Sequence, residues 1–391
     1  MVQAIALASR TGCGKSVNLR SAKASSSFLK IQSHQLHDLT IKRKTGLPIQ
    51  RAGPFGGGRS SVSGHVATVF GCTGFLGRYL VNKLAQKGTQ VVVPYRDEDE
   101  KRHLKPMGDL GQIVPMEWDL RNDEQIAECM RHSDVVYNLV GRNYDTKNFK
   151  FQDVNVTGAG RLAAIAEMLG VSRFIHVSHL NADVNSPSTF LRTKAEGEEA
   201  VKRAFEGATI VRPGHLFGHE DRFLNQMASY PLLWHVNHMK TKMRPVHSID
   251  VAQALEVMCD ADNTSMGQTF SLAGPKTYTI AQMLQLVEAL TYNKIIRHGL
   301  NVPKFALKTA TKVADLAWWP MFSPDEVEQR YHDDKADEPG TLGFADLGIE
   351  PDTLEERAIL YLRRYRSNLY FEQPVEGSGM KLKKQRYHVV D

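Results

Sequence analysis

The stretch Val66-Ala-Thr-Val-Phe-Gly71-Cys-Thr-Gly74-Phe-Leu-Gly77-Arg78 decides how the rest of the chain is read. It opens with a short apolar run carrying the β-branched Val66, Thr68 and Val69. It then reaches a glycine, and a helical pattern of Phe75, Leu76, Tyr79, Leu80 and Leu84 starts within the same turn. That order predicts strand, tight turn, helix. In such a turn Gly71 permits the bend, Gly74 lets a pyrophosphate approach the backbone, and Gly77 lets the helix lie close on the strand. The helix start offers N–H groups and a positive dipole end to an anion. An ordinary βα turn has the same outline, so the glycines gain force only from the strand before them and the helix after them.

The surrounding chain is ordinary globular material. It has 391 residues, 42% hydrophobic and 24% charged, enough for one large domain or two modest ones. No uncharged apolar run approaches ~18 residues, so no membrane-spanning helix is expected. The cysteines Cys13, Cys72, Cys129 and Cys259 are scattered, which argues against a metal site or disulfide framework and for a reducing compartment. The formal net charge of +6 is unevenly spread: residues 1–60 hold ten Lys or Arg and one acid, Asp38, whereas the remainder holds 39 bases and 42 acids. A serine-rich, acid-poor basic head reads as a mitochondrial presequence, or else as a retained basic arm, and Gly53 to Ser61 reads as a linker. With the basicity confined to the head, no nucleic-acid partner is expected. Thr11-Gly-Cys-Gly-Lys-Ser16 mimics the end of a P-loop, but Ser9 stands where the leading glycine belongs and no apolar helix pattern follows.

Beyond the glycine turn, apolar runs at 90–95, 113–117, 134–140, 172–178 and 208–212 alternate with amphipathic segments near 123–131, 153–169 and 190–205. This alternation predicts an α/β doubly wound parallel sheet, a Rossmann fold, covered on both faces. The second run ends at Arg96, about 20 residues past the turn, where such a domain reads the ribose 2′ position. A guanidinium there suits a 2′-phosphate and favours NADPH, while the adjacent Asp97 would suit a 2′-hydroxyl. Asp119 ends the third run within reach of an adenine amine, and Asn138-Leu-Val-Gly141 brings a small-residue turn toward the nicotinamide ribose. Either residue could serve turn chemistry alone.

Turnover is decided near the fifth run. Ser178 and Lys194 lie where short-chain dehydrogenase/reductases keep their catalytic serine and lysine, but the tyrosine expected four residues before the lysine is Phe190. That chemistry needs a phenol to exchange a proton with the carbonyl oxygen, and a benzyl ring has none to give. Losing a general acid costs about 10²- to 10⁴-fold. No tyrosine lies between Tyr144 and Tyr230 as a substitute. Ser178 and Lys194 remain able to hydrogen-bond a ribose, so no catalytic residues are assigned.

Taken together, Gly71 to Leu80, Pro94-Tyr-Arg96, Pro106 to Gln112, Asn138 to Arg142, Phe174 to Ala182 and Phe217 to Asn225 resemble the atypical short-chain dehydrogenase/reductases. Within that family the resemblance is to the Rossmann-type accessory subunits of mitochondrial respiratory complex I, from about Gly64 to Arg366. The resemblance implies an extended Rossmann fold and a subunit on the matrix side of the inner membrane. It also implies tightly held NADPH without turnover, partnership with other complex I subunits, and a role in assembly or stability. Carried over by position, the dinucleotide residues are Gly71, Thr73, Gly74, Phe75, Leu76, Gly77, Arg96, Asp119 and Asn138, with Ser178 and Lys194 beside the ribose. The competing expectation is an active NADP-dependent reductase of a hydrophobic carbonyl.

The organisation expected is presequence and linker over 1–60, Rossmann domain over 61–212, a smaller mixed lobe over 213–371, and a polar tail over 372–391. His215, His219, His235 and His238 lack metal-ligand spacing, and no metal is expected. His247 and Asp250 read as a strand end and helix cap. The segment 302–322, with Lys304, Lys308 and Lys312 beside Phe305, Val313 and Leu316 and ending in Trp318-Trp-Pro-Met-Phe322, reads as a surface for a partner or lipid headgroups, or as a helix folded onto its own domain. Leu354 to Tyr370 reads as a second basic helix.

Overall fold

The computed structural model describes residues 63–229, 236–260, 265–292, 302–317, 323–335 and 340–371, with the short antiparallel pair Leu39–Ile41 and Pro48–Gln50 ahead of them. The rest of the basic head, the tail from 372 and Trp318 to Phe322 lie outside the described residues.

The chain runs β1 (Val66–Phe70), α1 (Phe75–Gln86), β2 (Gln90–Tyr95), β3 (Ile113–Glu117), α2 (Asp123–Met130), β4 (Val135–Asn138), α3 (Ala159–Met168), β5 (Arg173–Val177), α4 (Thr189–Ala204) and β6 (Thr209–Pro213). After an excursion it adds β7 (Thr269–Leu272). All seven strands pair in parallel in the order β3-β2-β1-β4-β5-β6-β7, the doubly wound arrangement with its switch point between β1 and β4. The strand runs were legible because both sheet faces are buried. The two-residue period divides them: Ala67, Val69, Val91, Val93, Tyr137, Ile175 and Val211 enter one core, while Phe70, Val92, Val136, Phe174 and Ile210 enter the other.

α1 covers the first face with Leu76, Leu80, Val81 and Leu84, beside Val251, Leu255 and Met258 of a later helix, Ser248–Asp260. Tyr137, at the centre of the sheet, donates its hydroxyl proton to the Leu255 carbonyl at 2.9 Å. The second face is covered by Ile126 and Met130 of α2, Leu162 and Ala166 of α3, and Val201 of α4. Both β7 and the Ser248–Asp260 helix come from beyond residue 212, so the nucleotide-type core draws on chain outside the 61–212 span read from sequence.

A smaller cluster forms the second lobe. Phe223, Leu224 and Met227 of α5 (Arg222–Ser229) pack with Met283, Leu284, Val287 and Leu290 of Ile280–Thr291 and with Leu354, Ala358 and Leu362 of Leu354–Leu362. The expected second basic helix ends at Leu362. A 3₁₀ turn follows, and Arg366 is buried, its Nε donating to the Leu290 carbonyl at 2.6 Å. Lys304–Ala317 is helical and buries Leu307, while Phe305 and Val313 are 79% and 68% exposed. Lys304 and Lys308 each meet Glu328 at 2.6 Å, so two of the three expected contact lysines serve the chain's own fold. Among the described residues no helix is long and apolar enough to cross a membrane.

Candidate functional site: a dinucleotide crevice

The residues singled out from sequence converge on the C-terminal ends of adjacent parallel strands. In register, Phe70 of β1 lies opposite Asn138 of β4, and Asn138 opposite His176 of β5. The loops carrying Gly71, Asn138 and Ser178 therefore leave the sheet side by side, where ligands bind in open α/β sheets.

The glycine turn is fixed by the backbone. Gly71 has φ +83°, a conformation that L side chains rarely adopt, and a Cβ there would lie 2.9 Å from the Leu139 carbonyl carbon. A Cβ on Gly77 would sit 2.3 Å from the Gly71 carbonyl oxygen, so α1 meets the turn only through a glycine. Gly74 caps α1 with no side chain on the helix N–H groups, and the first turn carries no acid. By contrast α2 is capped by Asn122 and begins with Asp123 and Glu124. The first N–H groups of α1 thus have no side-chain cap among the described residues, the condition an anion-binding helix start needs; Thr73 lies in the turn, and Phe75 and Leu76 open the helix, with Leu76 buried in the first core. Arg78, one residue on, donates from Nη2 to the Thr73 carbonyl at 3.2 Å and from Nη1 to Glu220 of the second lobe at 2.5 Å.

Arg96 follows the end of β2, is exposed, and has no ion-pair partner among the described residues. Asp119 lies two residues past β3. One carboxylate oxygen accepts the Arg121 N–H at 2.7 Å, which is turn chemistry. Asn138 is buried: its Oδ1 accepts the Val140 N–H at 3.1 Å, and its amide nitrogen lies 3.1 Å from His176 Nδ1. Its observed work is to shape the β4 loop. Burial and the neighbouring Lys194 push His176 down to about 3, so it is neutral.

At the other end of the crevice, the Ser178 hydroxyl is buried without a hydrogen-bond partner among the described residues, an unmet hydrogen-bonding capacity that a ribose hydroxyl would satisfy. Lys194 Nζ donates to the Val177 carbonyl at 3.3 Å and lies 3.2 Å from where a Gly141 Cβ would be, against the β4 loop. Burial lowers its ammonium from 10.5 to about 8, with Glu198 opposing the shift. The Phe190 ring is buried, packed edge-on against Phe151 at 6.0 Å and His179 at 5.9 Å, with Lys194 Nζ 6.0 Å from its centroid. The site therefore keeps a serine and a lysine around an aromatic ring with no proton to transfer. The glycine turn, Arg96, Ser178 and Lys194 together fit a phosphorylated dinucleotide.

Two features escaped the sequence reading. A segment at 323–335 borders this end of the crevice, bonded to the chain after β4, the start of α4 and the loop after β5. The polar group His247, Asp250 and Asp352 has ligand atoms within 4.8 Å of one another. Tyr361 lies 2.6 Å from His247 Nε2, the Asp352 N–H donates to Asp250 at 2.7 Å, and Arg357 donates to Asp352 at 2.7 Å, so the group ties the Ser248–Asp260 helix to Leu354–Leu362. A separate cavity of about 650 Å³, lined by Arg244, Ser271, Gly274, Phe344 and Ile349, shares no lining residue with the glycine turn.

Comparison with known proteins agrees with this geometry. Residues 71–258 match a family model described as NAD(P)H-binding. The NADH-ubiquinone oxidoreductase 40 kDa subunit, mitochondrial, of Neurospora crassa is 51% identical over 344 residues, covering 88% of this chain and 90% of that protein. The mouse NADH dehydrogenase [ubiquinone] 1 alpha subcomplex subunit 9, mitochondrial, is 41% identical over 362 residues, covering 91% and 92%. Among solved structures, the Escherichia coli NADPH-dependent quinone oxidoreductase complexed with NADPH superposes with a TM-score of 0.59 at 18% identity, over 76% of this chain and 99% of that one, which is a likeness of fold.

Proposed function

The chain belongs to the family of the mitochondrial NADH-ubiquinone oxidoreductase 40 kDa and alpha subcomplex 9 subunits, and from that premise we propose that it is an accessory subunit of respiratory complex I that holds NADPH without turning it over. In this reading it sits peripherally on the matrix side of the inner membrane after loss of the basic head over 1–60, and supports assembly or stability of the complex. The glycine turn and the α1 N-terminus would take the pyrophosphate, Arg96 the 2′-phosphate, and Ser178 with Lys194 the nicotinamide ribose. Bound NADPH would bring hydride chemistry. The chain's own residues would position the ribose and leave the reaction without the phenol that serves this chemistry as its proton donor.

The observation that carries the reading is Phe190, a buried ring at the position of the missing phenol. Exposed Phe305 and Val313 on Lys304–Ala317 support a contact with a neighbouring subunit or with lipid headgroups. The test is to purify the protein from mitochondria under gentle conditions and identify its nucleotide. Comigration with a large complex carrying retained NADPH is expected. A free protein that oxidises NADPH with a hydrophobic carbonyl, and stops doing so as Lys194→Met, would establish the reductase reading instead.

A further inference from the structure

The segment Ser323–Lys335 is bound at both of its ends, through Ser323 and Asp325 and through Asp334 and Lys335, to the loops that rim the nicotinamide end of the crevice. Ser323 donates its hydroxyl proton to the Asn143 carbonyl at 3.2 Å, in the chain that follows β4. Asp325 accepts from the Ser188 hydroxyl at 2.8 Å, the Thr189 N–H at 2.7 Å and the Phe190 N–H at 3.1 Å. One carboxylate from outside the Rossmann core thus sits on the start of α4, the helix carrying Phe190 and Lys194, where the helix dipole favours a negative charge. Further along, Asp334 accepts from the Asn181 amide at 2.8 Å and from the Arg244 N–H at 2.7 Å. The Lys335 N–H donates to Asn181 Oδ1 at 2.9 Å, and its ammonium to Asp183 at 2.8 Å. Asn181 and Asp183 belong to the loop after β5 that begins at Ser178.

These bonds join the β4 loop, the β5 loop and the first turn of α4, the three elements that a nicotinamide ribose would have to pass between. We propose that Ser323–Lys335 is a strap that closes the nicotinamide end of the crevice, so that its release, rather than the phosphate contacts, sets the rate at which bound NADPH exchanges. The inference rests on the proposed NADPH-holding role and deepens it. The strap also explains why this end is shut to a carbonyl substrate independently of Phe190. The ties of Asp325 and Asp334 are charge-assisted and partly shielded from water, the stronger kind of hydrogen bond. Part of the strap is in turn held by the Lys304–Ala317 helix through Glu328, with Val327 and Leu307 packed in one cluster.

The test uses the purified full-length chain loaded with NADPH, whose fluorescence reports its release into excess unlabelled NADP. Lys335→Met and Asn181→Ala each remove ties without touching the glycine turn, and each is expected to raise the release rate about tenfold, with binding accelerated alongside so that Kd moves less than the rate. Because Asn181→Ala carries a folding risk, Asp183→Cys with Lys335→Cys, joined by a short bismaleimide, provides the opposite arm. Locking the strap should slow release at least tenfold, in a protein whose melting temperature the cross-link is expected to raise. Retention of NADPH by the wild type with the same release rate in the cross-linked and Lys335→Met proteins would overturn the strap while leaving the NADPH-holding role intact. A wild type that takes up no NADPH would overturn both.

Discussion

The two ends of the crevice have been treated differently by this sequence. At the end proposed to take the pyrophosphate the shape is made by backbone: Gly71 with φ +83°, Gly77 against the Gly71 carbonyl, and a helix start with no acid in its first turn. At the nicotinamide end the fit depends on side chains. Ser178 and Lys194 remain there, Phe190 has replaced the phenol, and Asp325, Asp334 and Lys335 draw a foreign segment across the rim. In the proposed reading, binding and turnover are separable properties of one fold. The first is written in glycines and strand register, and the second hangs on one hydroxyl and on an open approach.

The contrast breaks most visibly at Gly77. Gly77→Ala places a Cβ where the Gly71 carbonyl oxygen is 2.3 Å away, so either the turn or α1 must move, at a cost of about 3 kcal/mol or more. A lower melting temperature with loss of co-purifying nucleotide is expected. Wild-type stability and nucleotide content would place the glycine turn outside the binding site.

Arg96 sharpens the same end. Arg96→Ala should weaken NADPH by about 10- to 100-fold, the range for one charge-assisted contact, and leave NADH nearly unchanged. Isothermal titration with both nucleotides checks it, and an equal loss for the two would assign Arg96 a role other than reading the 2′-phosphate.

At the opposite end, burial holds Lys194 at about 8, below its ordinary 10.5. Between those values the unfolded chain binds the proton that the folded chain has released, so the lysine's contribution makes stability rise as pH rises from about 8 to 10.5. Below pH 8 the cost of the buried ammonium is fully present. Lys194→Met should therefore stabilise the nucleotide-free protein at pH 7 by on the order of 2 kcal/mol, with the difference from wild type shrinking above pH 8. Denaturant unfolding across that range is the check. A variant less stable than wild type at pH 7 would mean that the Val177 hydrogen bond outweighs the burial.

The smallest effect is expected from Phe190→Tyr. Restoring a phenol beside Lys194 should leave reductase activity with carbonyl substrates at background, because the strap still covers the approach. NADPH consumption assays on the single variant and on its combination with Lys335→Met separate the two causes. Activity in the single variant would make the missing hydroxyl the whole explanation.

Most of the sheet could be read in advance because its strands are buried on both faces and so appear as continuous apolar runs ending at polar or small residues. The glycine turn was legible for a different reason: its geometry tolerates no other residue type at Gly71 and Gly77. Thr269–Leu272 was not legible. It is four residues long, separated from β6 by the α5 excursion and the Ser248–Asp260 helix, and only pairing with β6 makes it part of the sheet. The ties of Asp325 to Ser188, Thr189 and Phe190 span more than 130 positions, and an aspartate near a short helix start carries no local sign of reaching another helix. Asn138 and Asp119 stand at the strand ends where position alone suggests a nucleotide contact, but their hydrogen bonds to Val140 and Arg121 show how much of their chemistry the loops themselves consume.

The proposed separation of holding from turnover is tested most directly by isolating the intact respiratory complex containing this chain, loading it with isotopically labelled NADPH, and letting it oxidise NADH with ubiquinone for many turnovers. The expected result is labelled NADPH still on the chain, stoichiometric, reduced and unexchanged. Conversion of the label to NADP in step with turnover, or its replacement by NADH, would contradict a subunit that holds its nucleotide as part of its structure.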